Sequence, residues 1–560
     1  MFLDTLRFGR DAIKVFRRAG LHRNLRPQIA WELCRDLVKR RRGSLPFVHR
    51  NALAAPEAEA VVDKRGERRL SHRALEGRMN QLTWALDRLG IKKGDRVGVL
   101  LRNSIEYLEV QGAVTAVGAI SVQIGSRLKG EEIAYILNNS GARVLFFDAQ
   151  LAAEVEVALS AIKESRLDKD RCFAVGTCVG FSNYESLLAA EPSDAPLPLA
   201  RTAVGGVMIY TSGTTGHAKG AERDFAKMGL RPIIHFLAQF PLGKNERHLV
   251  CCPLYHSAAP AFAMMIMMVG GTNILVEHFD PEAVLQLIAQ ERATSAMMVP
   301  TMYQRIVELP EATRKKYDCS QLRWLMSGAA PLSTELARRI ESVFGPILYN
   351  FYGATETGLV AVALPGEHTA RPGTIGRLIG GNQARLYDDL GKQVPVGAVG
   401  ELYVKNDMMM DGYFRNQAAS AAARRDGFIS VGDLAYCDQD GYYYLADRKT
   451  DMVISGGVNI YPWEIEQRLV CHPSVADVAI LGIPDREWGE RLAAFVVLRP
   501  GTQATADELS NYVRAKLADY KRPREFHFLD ELPRNPTGKV LKRELKDWLL
   551  QGRVALLKPL

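Results

Sequence analysis

From about residue 58 the chain alternates apolar, β-rich runs with segments of helical periodicity, and nothing else in the sequence constrains the fold as tightly. Residues 78–89 and 104–117 read as helices; 96–101 (RVGVLL), 119–123 and 143–147 read as buried strands. Such alternation is what a mostly parallel sheet with helical crossovers requires, so the fold class is α/β. Residues 386–404 change character, with short alternating runs and turn residues at 394–397 and 400–401, and predict a small antiparallel β unit after the α/β part. Past Asp447-Arg448-Lys449-Thr450 the pattern starts afresh: 464–470 and 506–517 read as helices, 478–481 and 493–498 as strands. The expected organisation is a basic helical segment at 1–50, a large domain at 51–448 and a smaller α+β domain at 449–560.

Charge is unevenly placed. The net charge is +9, and residues 1–50 hold 13 Lys and Arg against 4 Asp and Glu, so the whole excess lies there and the remainder is balanced. The main body therefore carries no nucleic-acid footprint. In the N-terminal segment Phe2, Leu3, Leu6, Ile13, Val15 and Phe16 interleave with Arg7, Arg10, Lys14, Arg17 and Arg18, and 39–42 form a basic run. Two readings fit: a helix lying on an anionic membrane surface, or the solvated face of a packed helix. The eight cysteines, at 34, 172, 178, 251, 252, 319, 437 and 471, form no C-x-x-C pair or zinc pattern, which points to reduced thiols and a cytoplasmic home. The longest apolar run, 258–269, is too short to span a bilayer, so any membrane contact is peripheral.

The sharpest local signal is the apolar run Val207-Met208-Ile209-Tyr210 leading into a loop, Thr211-Ser212-Gly213-Thr214-Thr215-Gly216-His217-Ala218-Lys219-Gly220. Glycines let backbone N–H groups approach an anion, hydroxyls add donors, and Lys219 adds charge. Ala218 stands where the Walker pattern needs Gly before Lys, so this is a different phosphate loop.

With Ser327-Gly328-Ala329-Ala330-Pro331, Tyr352-Gly353-Ala354-Thr355-Glu356-Thr357-Gly358, Gly432-Asp433, Asp447-Arg448, Ser455-Gly456-Gly457 and 533–539 (PRNPTGK), the chain resembles the adenylate-forming superfamily over roughly residues 50–550. The resemblance extends to its acyl-CoA synthetase branch. It implies an ATP-binding large domain and a small C-terminal domain that rotates. It also implies two half-reactions: a carboxylate attacks the α-phosphate of ATP and releases pyrophosphate, then the acyl group passes to CoA. It places the β- and γ-phosphates on Thr211, Ser212, Gly213, Thr214, Thr215, Gly216 and Lys219. Mg²⁺ goes on Glu356, the α-phosphate on Thr355, adenine against Tyr352 with room left by Gly328 and Ala329, the ribose on Asp433, and ribose or phosphate near Arg448. Lys539 takes the place of the catalytic lysine, Thr450 that of the hinge residue (where many relatives carry Asp or Lys), and Ser455, Gly456 and Gly457 that of the segment meeting the CoA thiol arm.

The acid is read from Pro253-Leu254-Tyr255-His256 and the apolar stretch to Met265, which resemble the family's acyl pocket, with Met297, Met298 and Met302 as further wall candidates. Amino-acid-activating relatives usually carry an acidic residue where this chain has His256, so an amino-acid substrate is disfavoured. By resemblance His256 lines the carboxylate end. The expected substrate is a hydrophobic carboxylic acid, a medium- or long-chain fatty acid or a similarly bulky one. Two alternatives stand beside this: delivery of the acyl group to a carrier protein, and a non-catalytic nucleotide-binding scaffold. The glycine run at 455–457 favours CoA, and the joint presence of Thr355, Glu356, Asp433, Arg448 and Lys539 argues against a scaffold. Relatives often carry a histidine shortly after the loop; here Lys219-Gly220-Ala221-Glu222-Arg223-Asp224 lacks it.

Overall fold

The structure is a computed structural model that describes residues 2–20, 46–64, 67–163, 167–194, 205–211, 218–225, 227–228, 231–243, 245–456, 458–535 and 538–551, with backbone alone for 2–6, 46 and 550. Two large sheets sandwich buried helices. In the first, the strands Leu348–Ala354, Trp324–Ser327, Ser295–Met298, Arg247–Val250, Thr272–Leu275 and Glu59–Asp63 lie side by side in parallel. In the second, Gly206–Thr211, Ile120–Gln123, Arg96–Leu100, Val144–Asp148 and Cys172–Val175 do the same. The α/β alternation of the sequence is thus realised as a mixed α/β architecture.

The helix Ile105–Val117 explains how the sheets are joined. Every one of its residues is buried, and it touches strands of both sheets. A helix apolar on all sides belongs in an interior. Its polar members are paired: Glu109 accepts from Arg78 Nε at 2.5 Å and from the Tyr184 hydroxyl at 2.7 Å, and Glu106 meets Arg68 at 2.6 Å. Ser104 caps its start through the Tyr107 N–H, and Gly118, at φ 77°, ends it in the left-handed region.

The expected antiparallel unit is present: Gln383–Tyr387, Gly400–Lys405, Phe428–Cys437 and Tyr443–Arg448 pair antiparallel and continue the first sheet through Thr374–Leu378 and Gly358–Ala363. Two sequence expectations change. Lys219 and Gly220 are not in a loop; they open the strand Lys219–Asp224, which returns antiparallel to Gly206–Thr211 with Thr211 opposite Lys219. Met297 and Met298 cannot line one pocket, because successive side chains of a strand face opposite ways. Met297 joins the core that contains Phe262, whereas Met298 joins the core behind the sheet; Met302, partly buried, touches both.

The N-terminal helix Phe2–Arg18 is packed on the body. Asp11, Val15 and Ala19 are buried, while Arg7, Arg10, Ile13, Lys14, Arg17 and Arg18 are exposed, so the described basic residues form its solvated face. The side chains of Phe2, Leu3 and Leu6 and the 39–42 run lie outside the described residues. No helix among the described residues is long and apolar enough to cross a membrane. The C-terminal part is built on a five-stranded sheet of its own, with Val453–Ser455 and Val458–Ile460 beside the long hairpin Val475–Asp485 and Gly489–Leu498, and Glu525–Phe528 parallel to the latter.

Candidate active site

The strand Gly206–Thr211 of one sheet and Leu348–Ala354 of the other end at a shared crevice, the place where α/β sheets bind ligands. Thr211 Oγ1 donates to Glu356 Oε1 at 3.2 Å, so the two sheets meet through a carboxylate. The Tyr413 hydroxyl donates to the same oxygen at 3.0 Å. Lys219 lies over the Tyr413 ring at 5.5 Å from Nζ to centroid, beside this carboxylate. Ser212, Gly213, Thr214, Thr215 and Gly216 lie outside the described residues.

Arg223 and Ser257, not singled out by sequence reasoning, organise the segment carrying Thr355. An Arg223 Nη donates to the Thr355 carbonyl at 2.6 Å, and burial lowers its pKa to about 10 against the pull of Glu356 and Asp411. The only trace in the sequence is a charged pair, Glu222-Arg223, on a strand straight after the phosphate loop. Ser257 Oγ and Thr355 Oγ1 are 3.3 Å apart. Next to Ser257, His256 keeps a buried Nε2 without a partner among the described residues, and burial, with Arg127 as a lesser cause, lowers its pKa to about 4. It is a neutral imidazole at physiological pH.

A second polar set lies on the antiparallel extension. Asp433 and Arg448 are opposite each other on neighbouring strands, 3.3 Å apart from Nε to Oδ1, and the Tyr352 hydroxyl donates to the other Asp433 oxygen at 2.6 Å. Burial and Asp433 hold the Tyr352 pKa well above its ordinary value, so it remains a donor. At Gly328 a Cβ would stand 2.2 Å from the Phe351 ring, so only glycine fits there. Ala329 has φ 65°, a left-handed conformation that costs a non-glycine residue about 1–2 kcal/mol. Ser327 Oγ and Asn350 Oδ1, on residues paired across two parallel strands, are buried without partners among the described residues.

Lys539 reaches this set from the loop between the strand Glu525–Phe528 and the helix Lys542–Leu550. Its loop is closed by Asn535, whose backbone N–H donates to the Lys539 carbonyl at 2.9 Å and whose side chain accepts from the Lys539 N–H at 2.9 Å. Gly538, at φ 77°, presses on the large domain so closely that a Cβ would be 2.6 Å from Thr301 Oγ1. Burial and then Arg448 lower the Lys539 pKa to about 8, while Asp451 and Asp433 oppose them. Between the domains, Lys449 is tied to Asp389 at 2.9 Å and Glu401 at 3.2 Å, and the exposed Thr450 follows directly. Ser455 and Gly456 lie away from this crevice, at the end of Val453–Ser455; Gly456 packs on Trp488, and Gly457 is outside the described residues.

The sets comprise one carboxylate held by hydroxyls, a buried Asp433–Tyr352 pair with the exposed Arg448 beside it, and a partly desolvated lysine. No cluster of three or more His, Cys, Asp or Glu that could cage a metal occurs among the described residues. A Mg²⁺ bound mainly by phosphate oxygens needs only one or two protein carboxylates, and the Glu356 carboxylate fits that donor set.

Similarity to known proteins agrees with this geometry. The family model for AMP-binding enzymes matches residues 48–414, and that for the AMP-binding enzyme C-terminal domain matches 464–539. A feruloyl-CoA synthase of Amycolatopsis is 36% identical over 506 residues, 90% of this chain and 98% of that protein. A long-chain-fatty-acid–CoA ligase of Mycobacterium tuberculosis is 30% identical over 512 residues, 90% of this chain and 97% of that protein. Among solved structures, an anthranilate CoA ligase in complex with anthranoyl-AMP superposes with a TM-score of 0.82 at 26% identity, covering 90% of this chain and 97% of that one. The chain belongs to the adenylate-forming AMP-binding enzyme family, in its acyl-CoA synthetase branch.

Proposed function

We propose that this protein is an ATP-dependent acyl-CoA synthetase that activates a hydrophobic carboxylic acid as its acyl-AMP, releases pyrophosphate, and passes the acyl group to CoA. What carries the reading is the meeting in one crevice of Glu356, the Tyr352–Asp433–Arg448 set and Lys539. In the first half-reaction the acid's carboxylate oxygen forms a bond to the α-phosphorus and the bond to pyrophosphate breaks. Two anions must approach, so fixed positive charge and donors in a partly dry site lower the barrier. Lys539 supplies that charge between carboxylate and α-phosphate; with a pKa near 8 it is mainly protonated at neutral pH. Thr355 donates to the α-phosphate, and Arg223 and Ser257 fix its segment. Asp433 accepts from the ribose hydroxyls, Tyr352 and Ala329 flank the adenine, with Gly328 giving room to the Phe351 ring behind it, and Arg448 screens the charges near ribose and phosphate. Ser212 to Gly216 and Lys219 take the outer phosphates. Mg²⁺, entering on those phosphates, would be held by Glu356 and would neutralise charge there.

In the second half-reaction the CoA thiolate attacks the acyl carbonyl and AMP leaves. Lys539 must withdraw, and rotation about Thr450 would bring Ser455, Gly456 and Gly457 into its place. Ile454, Val458 and Trp488 are large apolar side chains left exposed around Gly456, which supports a second domain arrangement that covers them.

His256, neutral and with a buried Nε2 that has no partner among the described residues, suits the carboxylate end of an acid without an ammonium group, since it stands where amino-acid-activating relatives carry an acidic residue. A fatty acid fits the apolar helix Ala258–Met268 and Met302. An aryl acid is the second reading, favoured by the rings of Phe262, Phe351 and Trp324 and by the feruloyl-CoA synthase relative. Pyrophosphate release over saturated acids from acetate to long chains, with cinnamic and sterol acids, separates the two. Turnover confined to short or amino acids would overturn both. Free CoA against a phosphopantetheinyl carrier protein, with the acid fixed, identifies the acceptor. Recruitment of the basic N-terminal face to anionic vesicles tests the peripheral contact.

A further inference from the structure

The N-terminal helix lies outside the matched family model, which starts at residue 48, yet it is bound to the acid side of the molecule by buried polar contacts. Asp11 Oδ2 and His235 Nδ1 are 2.8 Å apart, with side chains 8% and 1% exposed. A buried carboxylate is tolerated only when paired, so this contact fixes where the helix sits. Phe8 packs edge-on against the His235 ring, and an Arg18 Nη donates to the Phe240 carbonyl at 2.8 Å. His235 belongs to the short helix Arg231–Leu237, and its neighbour Phe236 meets Phe262 at 5.7 Å between ring centroids. Phe262 lies on Ala258–Met268, the helix read above as the acid-lining one, and packs in turn on Phe351, the ring that touches Gly328.

The far end of that acid-lining helix is held from the same side. Asn51 Nδ2 donates to the Met267 carbonyl at 2.7 Å, and an Arg50 Nη donates to the Met268 carbonyl at 2.6 Å. These are last-turn carbonyls, of which Met267 also accepts from the Gly270 N–H at 3.1 Å, and a cation there is favoured by the helix dipole. Both helices whose rings meet at Phe236 and Phe262 are therefore fastened from outside, one by Phe8, Asp11 and Arg18 and the other by Arg50 and Asn51.

We propose that this N-terminal segment is a clamp on the acid pocket, with Asp11 and Arg18 acting as positioning residues that set which acids are accepted. The proposal rests on the acid-pocket reading above. The polar anchors hold Phe236 against Phe262, and that contact fixes how far the pocket extends away from the nucleotide. Loosening it widens the pocket at Phe262, while the polar groups assigned to ATP, Glu356, Asp433 and Arg448, keep their own partners.

The test compares wild type with Asp11→Ala, Asp11→Asn and Arg18→Gln. It uses pyrophosphate release with whichever acids the wild type turns over, so failure of the wild-type panel and failure of the clamp are distinguishable. The expected result for Asp11→Ala is a KM for the best acid raised about tenfold. KM for ATP stays within twofold, and the acid profile shifts toward bulkier members. Asp11→Asn, which keeps a hydrogen bond to His235, restores most of the wild-type profile, and Arg18→Gln shows a weaker shift of about threefold. If Asp11→Ala does not accumulate folded, Arg18→Gln carries the test. An unchanged acid profile in the folded variants, or KM for acid and ATP rising together, overturns the clamp and leaves the helix a structural support only.

Discussion

The nucleotide side and the acid side of the crevice are built by different means. On the nucleotide side the two carboxylates have defined polar partners: Thr211 and Tyr413 on Glu356, Tyr352 and Arg448 on Asp433. On the acid side the wall is packed rings, Phe236 on Phe262, Phe240 on Trp324, Phe262 on Phe351, with Phe236 and Phe262 on helices braced from the N-terminal side and Trp324 and Phe351 on strands. Charged and hydrogen-bonded groups demand particular residues at particular places, whereas an apolar wall demands volume and shape, which many residues supply. Changes on the first side should therefore hit the chemical step, and changes on the second should alter the choice of acid.

The hardest test of that division is Lys539→Ala. Acyl-AMP formation should fall by about a thousandfold, in the range found when a group stabilising transition-state charge is removed. Thioester formation from added acyl-AMP should survive, and single-turnover measurement of each half-reaction would break the assignment if both were lost. Glu356→Gln keeps shape but removes charge; adenylation should drop about a hundredfold, with a raised Mg²⁺ requirement visible in a metal titration.

The pH profile sharpens the same side. Adenylation needs protonated Lys539, whose pKa is lowered to about 8. Its kcat/KM should be level below that pH and fall toward tenfold per unit above it, as the fraction carrying the proton declines. His256, already neutral above about pH 4, adds no limb there. A profile level to pH 10 would remove Lys539 from the role.

On the acid side, Phe262→Ala leaves a cavity where four rings meet. Thermal or denaturant unfolding should show a loss of about 3–5 kcal/mol, and KM for the acid should rise while KM for ATP holds. A change in ATP affinity instead would mean that the two sides are not separable. The smallest effect is expected from Tyr413→Phe, which removes one of the two donors on Glu356. At about 1 kcal/mol for such a bond, adenylation should slow about fivefold in steady-state assays.

The contrast also explains what could be read in advance. Glu356, Asp433, Arg448 and Lys539 stand in motifs because their chemistry admits few substitutes. Arg223 carried almost no signal, because its importance comes from burial beneath Thr355 and not from its neighbours in the chain. The methionine wall was misjudged at Met298 for a related reason: a run of apolar residues does not say which face of a strand meets the site. Lys219 was placed in a loop because its Gly and Thr neighbours read as turn formers, yet pairing with Thr211 draws it into a strand.

By itself the sequence determined the α/β alternation, the phosphate loop's chemistry and the ordered set of polar residues, since these follow from local periodicity and from groups that chemistry requires. Only the tertiary structure decided that the antiparallel strands extend the main sheet, that Lys539 stands beside Arg448, and that Asp11 is buried against His235. Each is a relation between residues far apart in the chain, which local periodicity and motif spacing cannot encode.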